Sequence, residues 1–258
     1  MPLIKPITIS VITATYNSAA TVQECLTSVA LQSHPDIEHI IVDCASTDKT
    51  LQIASEHIDR IARLISEPDT GIYDALNKGL AVATGDVVGF LHSDDKLANS
   101  RVLEKIATAF ENPEISAVYG DLVYVDNKDD ASVIRHWKSK PYSRGDLARG
   151  WMPPHPTLYV RRDWYAQVGG FDTSYRIAAD YLSILRLFSS PDFKATYVPE
   201  VLVKMRLGGV SNRSLKTITQ KSKEDWRALR ECGVSPAQTA ISLLLKNFRK
   251  LPQFVSKK

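Results

Sequence analysis

Residues 87–95 read VVGFLHSDD, an apolar run that ends in a histidine, a serine and two adjacent aspartates. A run this apolar is typical of a strand covered on both faces, as in a parallel sheet between layers of helices. Two carboxylates directly after a buried strand need a reason, because burying a charge is costly unless it is paired or bound. The stretch therefore predicts a buried strand whose carboxyl end carries a functional site.

The strand signal of this stretch repeats along the chain, and a helical period follows every strand. Apolar runs rich in valine and isoleucine predict strands at 7–13, 37–43, 61–66 and 87–91. Apolar residues at helical spacing follow Thr21, Asp48, Gly71 and Ser100, and Thr21 with Glu24 has the spacing of a capping box. This alternation predicts an α/β fold with a central, mostly parallel sheet flanked by helices.

The regular alternation weakens after residue 125. A polar turn at 127–130 and a proline-rich stretch at 151–156 interrupt it, and helical spacing resumes at 178–189. Two further helices are predicted at 214–231 and 236–249. We therefore divide the chain into one domain at 1–212 and a C-terminal helical extension at 213–258.

Composition excludes several classes of protein. The chain has 258 residues, a formal net charge of +3 and scattered lysines and arginines, which argues against nucleic-acid binding. Its cysteines, Cys25, Cys44 and Cys232, lie far apart and match neither a zinc site nor a disulfide scaffold. No signal peptide or membrane-spanning run is evident, so we expect a cytoplasmic protein with reduced thiols.

Polar clusters follow the predicted strands, and we expect them to meet at one edge of the sheet. Tyr16 and Asp43 suit stacking on a nucleobase and accepting its N–H group, so a nucleotide is the ligand that fits. Asp94 and Asp95 would repel a nucleoside diphosphate unless a divalent cation, Mg²⁺ or Mn²⁺, lay between them. The alternative is that this pair only caps a turn, but the clusters at the other strand ends favour the metal site.

Five segments occur in a characteristic order: VITATYN (11–17), IVDCASTD (41–48), SEPDTGIYDALNKG (66–79), ATGD (83–86) and LHSDD (91–95). Together they resemble the inverting family 2 glycosyltransferases with the GT-A fold, of the bacterial polysaccharide and cell-envelope type. The resemblance implies that Thr13, Tyr16 and Asp43 hold the nucleobase, that Asp69 lies near the nucleotide, and that Asp94 binds the nucleotide and its metal ion beside Asp95. It also implies a nucleotide-sugar-binding half at 1–125 and an acceptor half with the catalytic base at 126–212.

The resemblance also identifies a candidate general base. After a GGFD turn (169–172) the family carries a Glu-Asp pair, and here the pair is Ala179 and Asp180. Asp180 is therefore the residue implied to take the proton from the attacking hydroxyl, whereas taken alone it is an acid at a helix N-terminus. His92 replaces the first acid of the family's Asp-x-Asp triplet. His92 and His155 are candidates to line the acceptor side, and the alternative for His155 is a loop imidazole bonded to backbone.

The last residues of the chain combine basic and apolar side chains. Residues 235–258 contain no acid; the basic residues are Lys246, Arg249, Lys250, Lys257 and Lys258, and the apolar ones include Ile241, Leu243, Leu244, Leu245, Phe248 and Leu251. A helix with this pattern either contacts the cytoplasmic face of the inner membrane peripherally or packs on protein.

The resemblance implies transfer of a sugar, with inversion, from a nucleotide-diphosphate sugar to a hydroxyl of a glycan or lipid-linked oligosaccharide. UDP-sugars are the favoured donors. A nucleotide-sugar-binding module without turnover is the alternative, because His92 and Ala179 replace expected acids. A nucleotidyltransferase ranks last, since residues 13–20 lack a glycine-rich phosphate loop with a basic residue.

Overall fold

The computed structural model describes residues 6–127, 129–207 and 215–248. Its first elements are β1 (Ile9–Thr15), α1 (Val22–Ala30), β2 (Ile37–Asp43), α2 (Thr50–Glu56), β3 (Arg63–Ser66), α3 (Ile72–Val82), β4 (Val87–Phe90), the two-residue β5 (Lys96–Leu97) and α4 (Val102–Phe110). All of them except β5 were predicted from the sequence. β1 pairs in parallel with both β2 and β4, and β2 pairs in parallel with β3. The prediction of strand–helix units is confirmed, although β1 begins and ends two residues later than the sequence suggested.

Both faces of this parallel region are covered, which explains its continuous apolar runs. On one face Ile12 of β1 belongs to a core cluster that includes Leu76 of α3. On the other face Val11 belongs to a separate cluster with Cys25 of α1 and Leu103 of α4. Because neighbouring residues of a strand point to opposite faces, every position of β1 is buried.

The second half of the sheet is mixed. It contains β6 (Ala117–Val125), β7 (Val133–Trp137), β8 (Tyr159–Arg161) and β9 (Ala195–Arg206), in the order β3-β2-β1-β4-β8-β6-β9-β5, with β7 paired to β6. β8 is antiparallel to both β4 and β6, whereas β6 and β9 are parallel. Sequence analysis missed these strands because Gly120 and Asp121 interrupt the apolar run of β6, and Pro199 lies inside β9.

The remaining helices are α5 (Arg162–Val168), α6 (Ala179–Ser189), α7 (Leu215–Glu231) and α8 (Pro236–Phe248), and short 3-10 helices lie at Ile58–Arg60, Arg144–Arg149 and His155–Thr157. α7 packs on α6 and on α8, and α8 packs on the 3-10 helix Arg144–Arg149. Ala228 and Leu229 of α7 are fully buried in the same core cluster as α6. The last two helices therefore share the core of the preceding residues. No helix in the described ranges is long and apolar enough to span a membrane.

The predicted capping box at the start of α1 is wrong. The Thr21 hydroxyl donates to the Ser18 carbonyl at 3.4 Å, and it makes no capping bond to α1. Glu24 instead forms ion pairs with Arg206 at 2.5 Å and Lys96 at 3.3 Å. These two cations draw the carboxylate towards β5 and β9, away from the helix N-terminus.

Candidate active site

Asp43, the last residue of β2, joins the ends of three strands. Its Oδ1 accepts hydrogen bonds from the hydroxyls of Thr15 at 2.9 Å and Ser46 at 2.5 Å. Its Oδ2 accepts from the Ser46 N–H and from the Ser66 hydroxyl, both at 2.8 Å. A carboxylate has about four lone-pair sites, so these donors occupy all of them. The ends of β1, β2 and β3 are therefore held together by one buried side chain.

Thr13 does not lie at this edge. Its side chain is completely buried, and its hydroxyl is 3.1 Å from Nε2 of His39 and 3.9 Å from Sγ of Cys25. Because β1 continues to Thr15, position 13 lies inside the sheet beneath α1. The prediction that the Thr13 side chain contacts a nucleobase does not fit this geometry, and Thr15 is the threonine at the strand end.

Tyr16 lies in a hydrogen-bonded turn directly after β1, and 63% of its surface is exposed. The next residue, Asn17, has a φ of +46°, in the left-handed region that asparagine tolerates better than most residues. The Asn17 N–H donates to the Ser46 hydroxyl at 2.9 Å, and its Oδ1 accepts the Thr47 N–H at 3.0 Å. An exposed aromatic ring is thus held on a fixed backbone beside Asp43.

Asp69 lies at the same edge, in the loop between β3 and α3. Its Oδ1 accepts the N–H of Gly71 at 2.8 Å, and Gly71 has a φ of +131°, which only glycine adopts readily. Burial and the carboxylates of Asp69 and Asp43 raise the pKa of the Cys44 thiol. Cys44 is therefore a neutral thiol near two acids, a feature that sequence analysis did not anticipate.

The two aspartates after β4 occupy different environments. Asp94 is half-exposed and accepts no hydrogen bond from the described residues, whereas Asp95 is only 1% exposed. Oδ1 of Asp95 accepts the Arg206 N–H at 3.3 Å, and its Oδ2 has no hydrogen-bond partner among the residues that the structure describes. Burial, and then the nearby charge of Asp94, raise the pKa of Asp95 well above its ordinary value.

This pair fits a divalent cation that takes most of its ligands from elsewhere. A buried carboxylate oxygen without a partner and a half-exposed carboxylate beside it are suitable hard oxygen donors for Mg²⁺ or Mn²⁺. Within the described ranges, no three His, Cys, Asp or Glu side chains form a group able to hold a metal ion alone. A cation at this position would therefore need oxygens from a bound diphosphate and from water.

His92 connects the Asp94 loop with the start of α6. Its ring centroid is 5.6 Å from that of His155, which lies in the 3-10 helix before β8 and packs on Phe90. Burial lowers the pKa of His92, and the carboxylates of Asp94 and Asp180 oppose that shift. His155 in turn contacts Phe171, which stacks on Tyr73, and the Tyr73 hydroxyl bonds Asp180. The structure brings Asp94, His92, His155 and Asp180 to one site.

Asp180 lies in the first turn of α6. Its Oδ1 accepts the hydroxyl of Tyr73 at 3.0 Å, and the same hydroxyl is 2.6 Å from the carbonyl oxygen of Ile177. Burial would raise the pKa of Asp180, but the charges of His155, Lys221 and Lys246 and the Tyr73 bond lower it overall. The carboxylate therefore stays ionised below neutral pH, with Oδ2 making no hydrogen bond within the described residues.

Two lysines from the C-terminal helices supply the positive charge near Asp180 at neutral pH. Burial lowers the pKa of His155 to about 4, so that imidazole is neutral at pH 7. Lys221 of α7 is 3.7 Å from Asp225, and Lys246 of α8 is 2.9 Å from the same carboxylate. Sequence analysis missed Lys221 because a lysine on a polar helix usually indicates only a solvated surface.

Lys246 is buried, which changes the interpretation of the C-terminal helix. The ammonium lies 3.3 Å from the Tyr181 ring centroid, and the residue is 8% exposed. The exposed large apolar residues described on α8 are Ile241, Leu244 and Leu245. One face of α8 therefore packs on protein, and Lys246 is not part of a solvent-facing basic flank. The other predicted basic residues, Arg249, Lys250, Lys257 and Lys258, lie outside the described residues.

Comparison with known proteins finds a matching family and similar relatives. Residues 10–169 match the sequence model of a family described as Glycosyl transferase family 2. A PGL/p-HBAD biosynthesis glycosyltransferase of Mycobacterium bovis is 32% identical over 252 residues, which cover 96% of this chain and 92% of the relative.

Solved structures share the fold at lower sequence identity. Staphylococcus aureus TarS residues 1–349 in complex with UDP-GlcNAc superpose with a TM-score of 0.69 at 19% identity, covering 95% of this chain and 73% of that one. The mannosyltransferase PcManGT from Pyrobaculum calidifontis, in complex with GDP-Man and Mn²⁺, gives a TM-score of 0.68 at 21% identity, covering 97% and 73%. The architecture is that of the GT-A glycosyltransferases.

Proposed function

This chain belongs to glycosyl transferase family 2, and we propose that it transfers a sugar from a nucleotide-diphosphate sugar to an acceptor hydroxyl with inversion at the anomeric carbon. One observation carries the proposal: a run of ring contacts links His92, two residues before Asp94, to Asp180. It passes from His92 to His155, Phe171 and Tyr73, whose hydroxyl bonds Asp180. A direct displacement needs the leaving group and the attacking hydroxyl on opposite sides of one sugar. Two acids connected through one cluster of rings support such an arrangement.

The nucleobase is proposed to bind at the edge formed by Tyr16, Asp43 and Asp69. The exposed Tyr16 ring is free to stack on a base. Asp43 is saturated by donors, so a base N–H would bond to it only by displacing a hydroxyl, and the exposed Ser66 hydroxyl can rotate to water. We favour a UDP-sugar as donor because the TarS structure contains UDP-GlcNAc, although PcManGT contains GDP-Man.

Asp94 and Asp95 are proposed to hold Mn²⁺ or Mg²⁺. When bound, such an ion supplies Lewis acidity that stabilises negative charge on the departing diphosphate. The Mn²⁺ in the PcManGT structure supports this assignment.

Asp180 is proposed as the general base. Tyr73 occupies its Oδ1, which leaves Oδ2 to take the proton of the acceptor hydroxyl. As that oxygen forms a bond to the anomeric carbon, the bond between carbon and diphosphate oxygen breaks and its electron pair leaves with the nucleotide. The lowered pKa of Asp180 keeps the base ionised at neutral pH. His92 and His155 would line the acceptor side.

The acceptor is proposed to be a glycan or a lipid-linked oligosaccharide, handled by residues 126–212, whereas residues 1–125 bind the donor. We place the protein in the cytoplasm, with peripheral membrane contact through the exposed apolar face of α8 in the extension 213–258. Binding to vesicles with anionic lipids tests this contact. Replacing Leu244 and Leu245 with serine should release the protein, and unchanged binding would refute the membrane contact.

The central experiment combines donor selection with turnover. UDP-, GDP- and dTDP-sugars are screened by thermal shift with Mn²⁺, since a ligand of the native state alone raises its melting temperature. Release of nucleoside diphosphate from the selected donor is then measured with octyl glycosides as acceptors. We expect release to depend on a divalent ion and to fall by about 10²–10⁴-fold in Asp180→Asn.

The alternative, a binding module without turnover, predicts a thermal shift without nucleotide release. An Asp180→Asn variant with wild-type turnover would refute the assignment of the base. No thermal shift with any of the donors would count against nucleotide-sugar binding itself.

A further inference from the structure

Glu224 of α7 binds the backbone immediately before α6. Its Oε2 accepts the N–H groups of Ile177 at 2.9 Å and Ala178 at 3.0 Å, and its Oε1 accepts the N–H of Arg176 at 3.2 Å. The Gln220 side chain donates to Oε1 at 2.8 Å. Glu224 is 5% exposed, so a buried carboxylate joins three consecutive backbone donors. Such charge-assisted bonds are among the stronger ones in proteins.

The local sequence supplies no substitute for this contact. The residue before α6 is Ala178, which has no side chain able to cap the helix. A negative charge near a helix N-terminus is stabilising, and here it comes from a residue 46 positions later in the chain. Burial alone would raise the pKa of Glu224, but the hydrogen bonds from Gln220 and the backbone lower it overall. The carboxylate is therefore ionised where it meets the helix.

Ile177 is held from both sides by this arrangement. Its N–H donates to Glu224, and its carbonyl oxygen lies 2.6 Å from the Tyr73 hydroxyl, whose single proton it shares with Asp180. The same hydroxyl lies 3.0 Å from Oδ1 of Asp180. Because a chain of direct contacts links Glu224 to Asp180 through Ile177 and Tyr73, a shift of the backbone before α6 would move the carboxylate of Asp180.

We propose that Glu224 is a positioning residue for the transfer reaction: it fixes the backbone before α6 and thereby the orientation of Asp180 in the active site. The inference rests on the proposed function, in which Asp180 is the base. It makes α7 part of the catalytic apparatus. A misplacement of about 1 Å in a catalytic group is enough to cost about 100-fold in rate.

The test compares Glu224→Ala and Glu224→Gln with a matched control, Glu231→Gln. Glu231 also lies on α7, where it pairs with Arg227 at 2.7 Å and with Arg186 near the end of α6 at 3.9 Å, but it does not bond the backbone before α6. The probe is release of nucleoside diphosphate from the donor selected by thermal shift, with an octyl glycoside as acceptor. We expect Glu224→Ala to lower kcat about 10- to 100-fold with donor affinity changed less than about twofold, Glu224→Gln to lie between, and the control to match wild type.

A double-mutant cycle separates positioning from general destabilisation. If Glu224 acts through Asp180, Glu224→Ala should have little further effect on kcat in the Asp180→Asn background. The proposal would be overturned if Glu224→Ala lowered kcat by the same factor in wild type and in Asp180→Asn. A wild-type kcat in Glu224→Ala alone would also overturn it. If Asp180→Asn itself keeps wild-type turnover, the proposed base is wrong, and the assignment of Glu224 to catalysis is wrong with it.

Hydrogen exchange keeps the inference testable without any substrate. The amides of Ile177 and Ala178 should exchange faster in Glu224→Gln than in wild type at equal global stability, and the control should leave them unchanged. If Glu224→Ala does not fold, this measurement and the kcat of Glu224→Gln decide the question. Unchanged exchange of both amides in Glu224→Gln would refute the anchoring role.

Discussion

Replacing Asp43 with alanine or with asparagine should show how much its hydrogen bonds, and how much its charge, stabilise the strand ends. In Asp43→Ala all four hydrogen bonds disappear. Thr15 is only 4% exposed, so its hydroxyl is left without a partner at a cost of about 1–3 kcal/mol. The donors of Ser46 and Ser66 lie closer to solvent and can bind water, which limits each loss to about 0.5–1 kcal/mol. We expect a total destabilisation of about 3–4 kcal/mol.

Asp43→Asn should destabilise the protein much less than Asp43→Ala. Its amide oxygen can replace Oδ2 and accept from the Ser46 N–H and the Ser66 hydroxyl. Its NH₂ group then faces the hydroxyls of Thr15 and Ser46, which can rotate and accept instead of donating. The number of hydrogen bonds is retained and only their charge assistance is lost, so we expect a cost of about 1 kcal/mol.

Urea unfolding followed by tryptophan fluorescence measures the free energy of unfolding of both variants. The control is Asp59→Ala at an exposed position, whose free energy of unfolding should lie within about 0.5 kcal/mol of wild type. In thermal melts Asp43→Ala should lower Tm by about 6–16 °C. Equal costs for alanine and asparagine, or a cost below about 1 kcal/mol for alanine, would refute the reasoning that Asp43 joins the three strand ends by its hydrogen bonds.

Three further outcomes follow from buried groups elsewhere. Gly89→Ala should destabilise the fold by about 1–3 kcal/mol or more, because a Cβ there would lie 2.2 Å from the Tyr159 ring. The control Gly145→Ala has open space around its Cβ and should leave the stability unchanged. Equal melting temperatures for the two variants would contradict this prediction. Burial lowers the pKa of His39 to about 3, so the unfolded state binds more protons below pH 6.5 and stability should fall by about 2 kcal/mol between pH 6.5 and 5. Urea titrations should show that loss reduced in His39→Gln, and an unchanged loss would exclude His39 as its source. Burial also lowers the pKa of Lys246 to about 8, so stability should rise with pH from about 8 towards 10.5 as the folded state releases its proton first. Lys246→Met should remove that rise, and a rise that persists in this variant would assign it to other groups.

Local periodicity was enough to predict most of the parallel half of the sheet. β4 needed no partner to be recognised, because a strand buried on both faces is apolar along its whole length. β2 was recognised from the shorter apolar run at residues 40–42, although Glu38 and His39 precede that run. β6 and β9 were missed because their interruptions, Gly120 with Asp121 and Pro199, are tolerated only through pairing with neighbours distant in sequence. Thr13 was misplaced for a related reason, since the end of a strand depends on how far its neighbours continue.

The sequence by itself determined the α/β class, the order of strands and helices, and the positions of Asp43, Asp94 and Asp180 at strand or helix ends, because these follow from local spacing and motif order. Only the tertiary structure decided which side chains surround those acids. Tyr73 meets Asp180 across 107 residues and Glu224 meets Ala178 across 46. Such contacts depend on how α3 and α7 pack against α6, and no local pattern in the chain encodes that packing.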